Sequence, residues 1–168
     1  MPLHLYRLRP VLAISFGEML VADEHVLTLR ARSHAMAVGL RLSGADAVRL
    51  ARCLLAERES GAGCGWQIGP VEPTPLQSPW LAVPLDLDAA AQQVHVREQA
   101  AGRYVCIEAR GAAAGSTFLV ELWITREQGA ALGRQIEQVC SQHGERQREW
   151  GGPDAGGSGE GTGDGECP

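Results

Sequence analysis

Residues 118–125 read Phe-Leu-Val-Glu-Leu-Trp-Ile-Thr, and residues 36–43 read Met-Ala-Val-Gly-Leu-Arg-Leu-Ser. Each stretch places an apolar residue at every second position, the period of a strand with one buried face. Each ends in a hydroxyl residue and runs into a segment of helical periodicity. Adding 82 to a number in the first stretch gives its counterpart in the second: Met36/Phe118, Val38/Val120, Leu40/Leu122, Leu42/Ile124 and Ser43/Thr125. The match continues through the helices as Ala47/Gly129, Leu50/Leu132, Ala51/Gly133, Arg52/Arg134 and Leu54/Ile136. A fixed offset kept over this length marks an internal repeat.

Working outward, residues 27–32 also alternate, with Leu27, Leu29 and Ala31 on one face and Thr28, Arg30 and Arg32 on the other. The short gap before Met36 makes these two strands an antiparallel hairpin. Ser43 is expected to cap the following helix, with Asp46 reaching back to it. Ala47, Leu50, Ala51 and Leu54 form one buried stripe. In the second copy Val105, Ile107 and Ala109 alternate, a Gly-Ala-Ala-Ala-Gly loop spans 111–115, Thr125 caps with Gln128, and the stripe is Gly129, Leu132, Gly133 and Ile136. Glycine inside a helix costs about 0.5–1 kcal/mol relative to alanine. Two of them predict a close backbone approach to a neighbouring sheet or helix.

Further strands are expected at 11–16 and 18–22, with a turn after them, and at 80–87 and 93–98. The fold class is therefore α+β: two ββββα repeats, each an antiparallel sheet with a C-terminal helix, packed as one pseudo-twofold domain. The first repeat covers 1–58, a Gly/Pro-rich linker 59–79, the second repeat 80–143, and an acidic Gly-rich tail 144–168. The tail has too few apolar side chains to offset its ordering entropy and is expected to be disordered.

All 15 basic residues of the 168-residue chain are arginine, and neither lysine nor asparagine occurs. The net charge is −5, but Asp154, Glu160, Asp164 and Glu166 lie in the tail, so the body is close to neutral. That excludes a strongly basic nucleic-acid protein while leaving room for a local basic face. The missing lysine excludes a Walker-type phosphate site. Five cysteines, at 53, 64, 106, 140 and 167, form no regular framework, so reduced thiols and a cytoplasmic location are expected. The apolar run 11–16 is too short for a signal peptide, and no segment approaches the roughly 18–20 apolar residues that span a bilayer.

Candidate chemistry is sparse. Cys140 and His143 make a Cys-x-x-His half-site, but a structural zinc needs four ligands. Asp86 and Asp88 share a strand face, as a divalent-ion or acid–base pair would. Cys64 sits in a Gly-rich loop with no evident base, and the histidines at 4, 25, 34, 95 and 143 are scattered. No catalytic, cofactor-binding or metal-ligating residue is assigned, and no enzyme is expected.

The two outer sheet faces differ. The first carries Thr28, Arg30, Arg32, Ala37, Gly39 and Arg41, and its arginines suit a phosphodiester or an acidic protein. The second carries Cys106, Glu108, Arg110, Leu119, Glu121 and Trp123, and Leu119 with Trp123 is a candidate protein interface. Paired ββββα units resemble in topology the PUR-repeat and Whirly-type single-stranded nucleic-acid binders. That resemblance implies aromatics on a basic sheet, whereas aromatics here total 5% of residues. It transfers no site residues. The expectation is an intracellular, bacterial-type protein-interaction or assembly module that self-associates as a homodimer. The alternative is single-stranded nucleic-acid binding through Arg30, Arg32 and Arg41.

Overall fold

The computed structural model describes residues 2–56, 84–99 and 103–150. The linker with Cys64, and the tail from 151 onward, lie outside the described residues. The elements run β1 (Leu3–Leu8), β2 (Ala13–Val21), β3 (Glu24–Arg32), β4 (Ala37–Leu42), α1 (Gly44–Ala56), β5 (Leu87–Ala90), β6 (Gln93–Gln99), β7 (Tyr104–Ala113), β8 (Ser116–Thr125) and α2 (Arg126–Trp150). The class is α+β, and the described residues form two four-stranded sheets and two helices.

The hairpins form where alternation and turn chemistry predict them. β2 and β3 pair antiparallel through a two-residue turn in which Ala22 and Asp23 both take positive φ, at 49° and 66°. β7 and β8 close through Ala114 (φ 50°) and Gly115 (φ 79°). Such primed turns match the right-handed twist of the flanking strands. They correct two expectations. In place of two strands at 11–16 and 18–22 there is one, β2, which pairs with β3 unbroken from Ala13 to Val21. The 111–115 loop shrinks to two residues, because Gly111, Ala112 and Ala113 pair with Phe118, Thr117 and Ser116.

The sheets are not wholly antiparallel, a further correction. The first has the order β1-β8-β7-β6, with β1 parallel to β8; the second has the order β2-β3-β4-β5, with β5 parallel to β4. Each sheet thus takes one strand from the other half of the chain. The crossings are fixed by backbone hydrogen bonds. The Val11 N–H donates to the Trp123 carbonyl in one sheet (3.1 Å), and the next amide, Leu12, donates to Arg32 in the other (2.8 Å). Likewise Ala91 donates to Arg41 (2.9 Å) and Gln92 to Arg110 (2.8 Å). Of the strand expected at 80–87, residues 80–83 lie outside the described residues, and 84–86 are irregular before β5 opens at Leu87; the Asp86 N–H donates to the Ala37 carbonyl and its carboxylate accepts from the Ala37 N–H, both at 2.8 Å.

Both helices carry the predicted caps. The Ser43 hydroxyl accepts from the Asp46 N–H (3.1 Å) and donates to its carboxylate (2.7 Å). Thr125 and Gln128 exchange backbone-to-side-chain bonds at 3.0 and 3.1 Å. Gln128 also donates to the Val11 carbonyl at 3.2 Å, so the cap of α2 anchors the β1–β2 crossing. Neither helix packs chiefly on the strand that precedes it. α1 lies against β6, and α2 chiefly against β2. The small-residue stripes bring them together: a Cβ on Gly133 would fall 2.9 Å from Leu55 Cγ and 3.3 Å from the Ala51 carbonyl. Leu27, Leu29, Val38, Leu40, Leu50, Leu54, Ile107, Val120, Leu122, Leu132 and Ile136 are buried in a single core shared by both sheets and both helices. α2 runs on to Trp150, past the expected boundary at His143. Among the described residues, no helix is long and apolar enough to cross a membrane.

Candidate functional site

The outer face of the β1-β8-β7-β6 sheet is built by pleat and register. On β1, Leu8 is buried and Tyr6 packs against the core, so Leu3, Leu5 and Arg7 point outward. Register sets Leu5 beside Leu119, and Arg7 beside Glu121 and then Glu108. Cys106 lies beside Trp123 on one side and Arg97 on the other. The result is a charged band flanked by apolar groups.

In the band, Arg7 Nε meets Glu121 Oε2 at 2.6 Å. Arg97 pairs with Glu108 and reaches Glu121 at 3.9 Å. Glu121 is only 6% exposed, deep for an outer-face carboxylate. Its hydrogen bond from Arg7 holds it below the ordinary carboxylate value, against the opposing effect of burial. Beneath Arg97 the buried Cys106 thiol is pushed up, mainly by desolvation. It stays protonated and is a poor nucleophile.

On the apolar flanks, Trp123 is half-buried under the Arg9 guanidinium, 4.3 Å from its ring centroid. Leu119 is half-buried beside Leu5. Leu3 and Leu5 are 64% and 50% exposed. The expected interface pair therefore lies on one face but is divided by Glu121, and β1 with the residue after it supplies what sequence reading missed: Leu3, Leu5 and Arg7 on the strand, and Arg9 just beyond it. The signal was present in Leu3-His4-Leu5-Tyr6, a period-two pattern too short to stand out alone.

β1 is also a sheet edge. The Thr117 N–H donates to the Pro2 carbonyl (3.1 Å), and successive residues turn their amides to opposite sides. The backbone groups of Leu3, Leu5 and Arg7 thus face away from β8. The long edge strands β2 and β6 have helices alongside, and the Gln135 side chain accepts from the Phe16 N–H of β2 at 2.9 Å. β5 is four residues long. Among the described residues, no helix lies alongside β1, which is six residues long.

Arg30, Arg32 and Arg41 share the outer face of the other sheet, as expected, and all are half-buried. Arg30 lies opposite Gly39, and Asp88 faces Gly39 from β5. Asp88 comes within 3.8 Å of Arg41 and offsets part of its charge. Ser15 and Thr28 on this face are 0% and 3% exposed. Asp86 and Asp88 do not act as a pair, since the first binds Ala37 and the second faces Arg41. Cys53 is exposed rather than packed. His143 does not join Cys140; its Nδ1 lies 2.9 Å from Glu18, which His25 also approaches at 3.0 Å. Among the described residues, no three His, Cys, Asp or Glu side chains are grouped to hold a metal ion.

Comparison with protein-family models, curated proteins and solved structures yields no match for this chain.

Proposed function

We propose that the protein is a non-enzymatic interaction module that works through β1 and the outer face of its sheet. One observation carries the reading: Leu3 and Leu5 stand exposed on an edge strand that no helix of the described residues covers, next to Leu119 and near Trp123. Edge strands left in this state are templates for another chain. Affinity capture with the full chain and with Leu5→Arg, each with and without nuclease, tests it. The expected outcome is nuclease-resistant association, with itself or another protein, that Leu5→Arg abolishes. Association that the variant leaves intact refutes it.

The architecture we propose is a tandem duplication with exchanged first strands and a pseudo-twofold axis between α1 and α2. Ala51 and Gly133, equivalent under the offset of 82, face each other closely: a Cβ on Gly133 would lie 3.3 Å from the Ala51 carbonyl. The equivalent carbonyls of Arg41 and Trp123 receive the two crossing chains. Free thiols at Cys53, Cys106 and Cys140 are in keeping with a reducing, cytoplasmic setting.

A second reading draws on Arg30, Arg32 and Arg41 sharing one face: single-stranded nucleic acid held by phosphate contacts. Binding of single-stranded oligonucleotides at low salt, weakened and less salt-dependent in the triple alanine variant, is its expected result. Anisotropy that stays flat with wild type removes it.

A further inference from the structure

We propose that the occupant of the β1 edge is a second copy of this chain, joined by antiparallel β1–β1 pairing about a twofold axis at Leu5. The inference rests on the reading of this face as an interaction surface and names its partner.

The backbone selects the register. The groups of Leu3, Leu5 and Arg7 face the open edge, so these residues must form the hydrogen-bonded pairs of an antiparallel join. Centring on Leu5 sets Leu5 against Leu5 of the second copy and Leu3 against its Arg7. All three outward residues are then used on both chains. Outer-face side chains follow: Leu119, Leu5, and the same two residues of the other copy form one apolar stripe across the axis.

Charge permits the join. Arg7 is the charged residue β1 brings to the edge, and Glu121 of its own chain already holds it at 2.6 Å. In this register it meets a leucine rather than its own image. Strand β1 contains no proline and pairs with β8 in unbroken register from Leu3 to Leu8, so nothing twists the edge away. The product is a continuous eight-stranded sheet formed from two four-stranded ones.

Sedimentation equilibrium of the full chain over a concentration series tests this, with circular dichroism to check each fold. Wild type is expected to dimerise reversibly. Leu5→Arg sets two cations at the axis, and Leu5→Pro removes an edge-facing donor without touching the bonds to β8; each should weaken dimerisation by about tenfold or more. Leu20→Arg, at the exposed tip of the β2–β3 hairpin, should leave it unchanged. Under mild oxidation Leu5→Cys should give a reducible dimer in excess of wild type, and Leu3→Cys should not. A monomeric wild type, or a dimer that survives both Leu5→Arg and Leu5→Pro, overturns the proposal. A monomeric wild type that still captures a different protein through Leu5 also overturns it, while sparing the interaction reading.

Discussion

Gly129 and Gly133 look alike in sequence, yet their surroundings give opposite expectations. A Cβ at Gly133 would meet the branch carbon of Leu55 at 2.9 Å and a backbone carbonyl of α1 at 3.3 Å. At Gly129 the nearest atoms, from Leu54 and Ile124, stand at 3.5 and 3.6 Å, ordinary contact. Gly133→Ala should therefore overpack the helix pair and cost about 1–3 kcal/mol, while Gly129→Ala should gain about 0.4–1 kcal/mol by restricting the unfolded chain. Thermal melts of the two variants check this, and a gain at Gly133 would mean the helices separate easily. Glu121 makes a second residue-scale prediction. Its folded pKa lies below the unfolded value because Arg7 binds the ionised form. Its stabilisation is present above the ordinary carboxylate range and fades as pH falls through the folded value. Glu121→Gln should lower the melting temperature at neutral pH, and the gap to wild type should close in acid.

The elements themselves were largely legible, because their signals are local. Ser43 with Asp46 and Thr125 with Gln128 announce helix starts within four residues, and the alternation over 36–42 and 118–124 shows which side chains turn inward. Leu40, Leu122, Leu50 and Leu132 are buried as that pattern requires. Pairings within the hairpins were legible, but the partners that cross between the halves were not. β1 lies beside β8, and Arg7 meets Glu121 across 114 residues of sequence. A pleat records which face is apolar but not which edge it will find. The candidate surface was legible in the same partial way: Leu119 and Trp123 were recognised as outward and apolar, while the strand that completes them was missed. The Thr125 cap also holds more than its helix. Thr125→Ala should cost about 1 kcal/mol, the loss of one cap acceptor. Gln128→Ala should cost more, about 1–3 kcal/mol, because it strands both the Thr125 N–H and the Val11 carbonyl. Denaturant titrations that rank the two variants the other way would detach the cap from the crossing.

At the scale of the whole molecule, strand exchange removes the independence that two ββββα units would otherwise have. The first half alone would leave β1 without β8, β4 without β5, and α1 without the β6 surface and the Gly133 face it packs on. The second half would lose the partner of β5, and α2 would lose β2, the strand it chiefly covers. Each fragment would expose core faces that only the other buries, and marginal stability leaves no reserve to cover that loss. Residues 1–58 and 80–150, expressed separately, should therefore each lack cooperative unfolding and show weak circular dichroism. Mixed in equal amounts, they should regain the β-sheet signal and a single melting transition, because the strands β1–β8 of the described residues all lie within the two fragments. The intact chain should unfold in one step in urea, with coincident curves from circular dichroism and from hydrogen exchange of β3 and β7 amides. A fragment that folds on its own, or two separated transitions in the intact chain, would mean that the exchanged strands only decorate two self-sufficient halves.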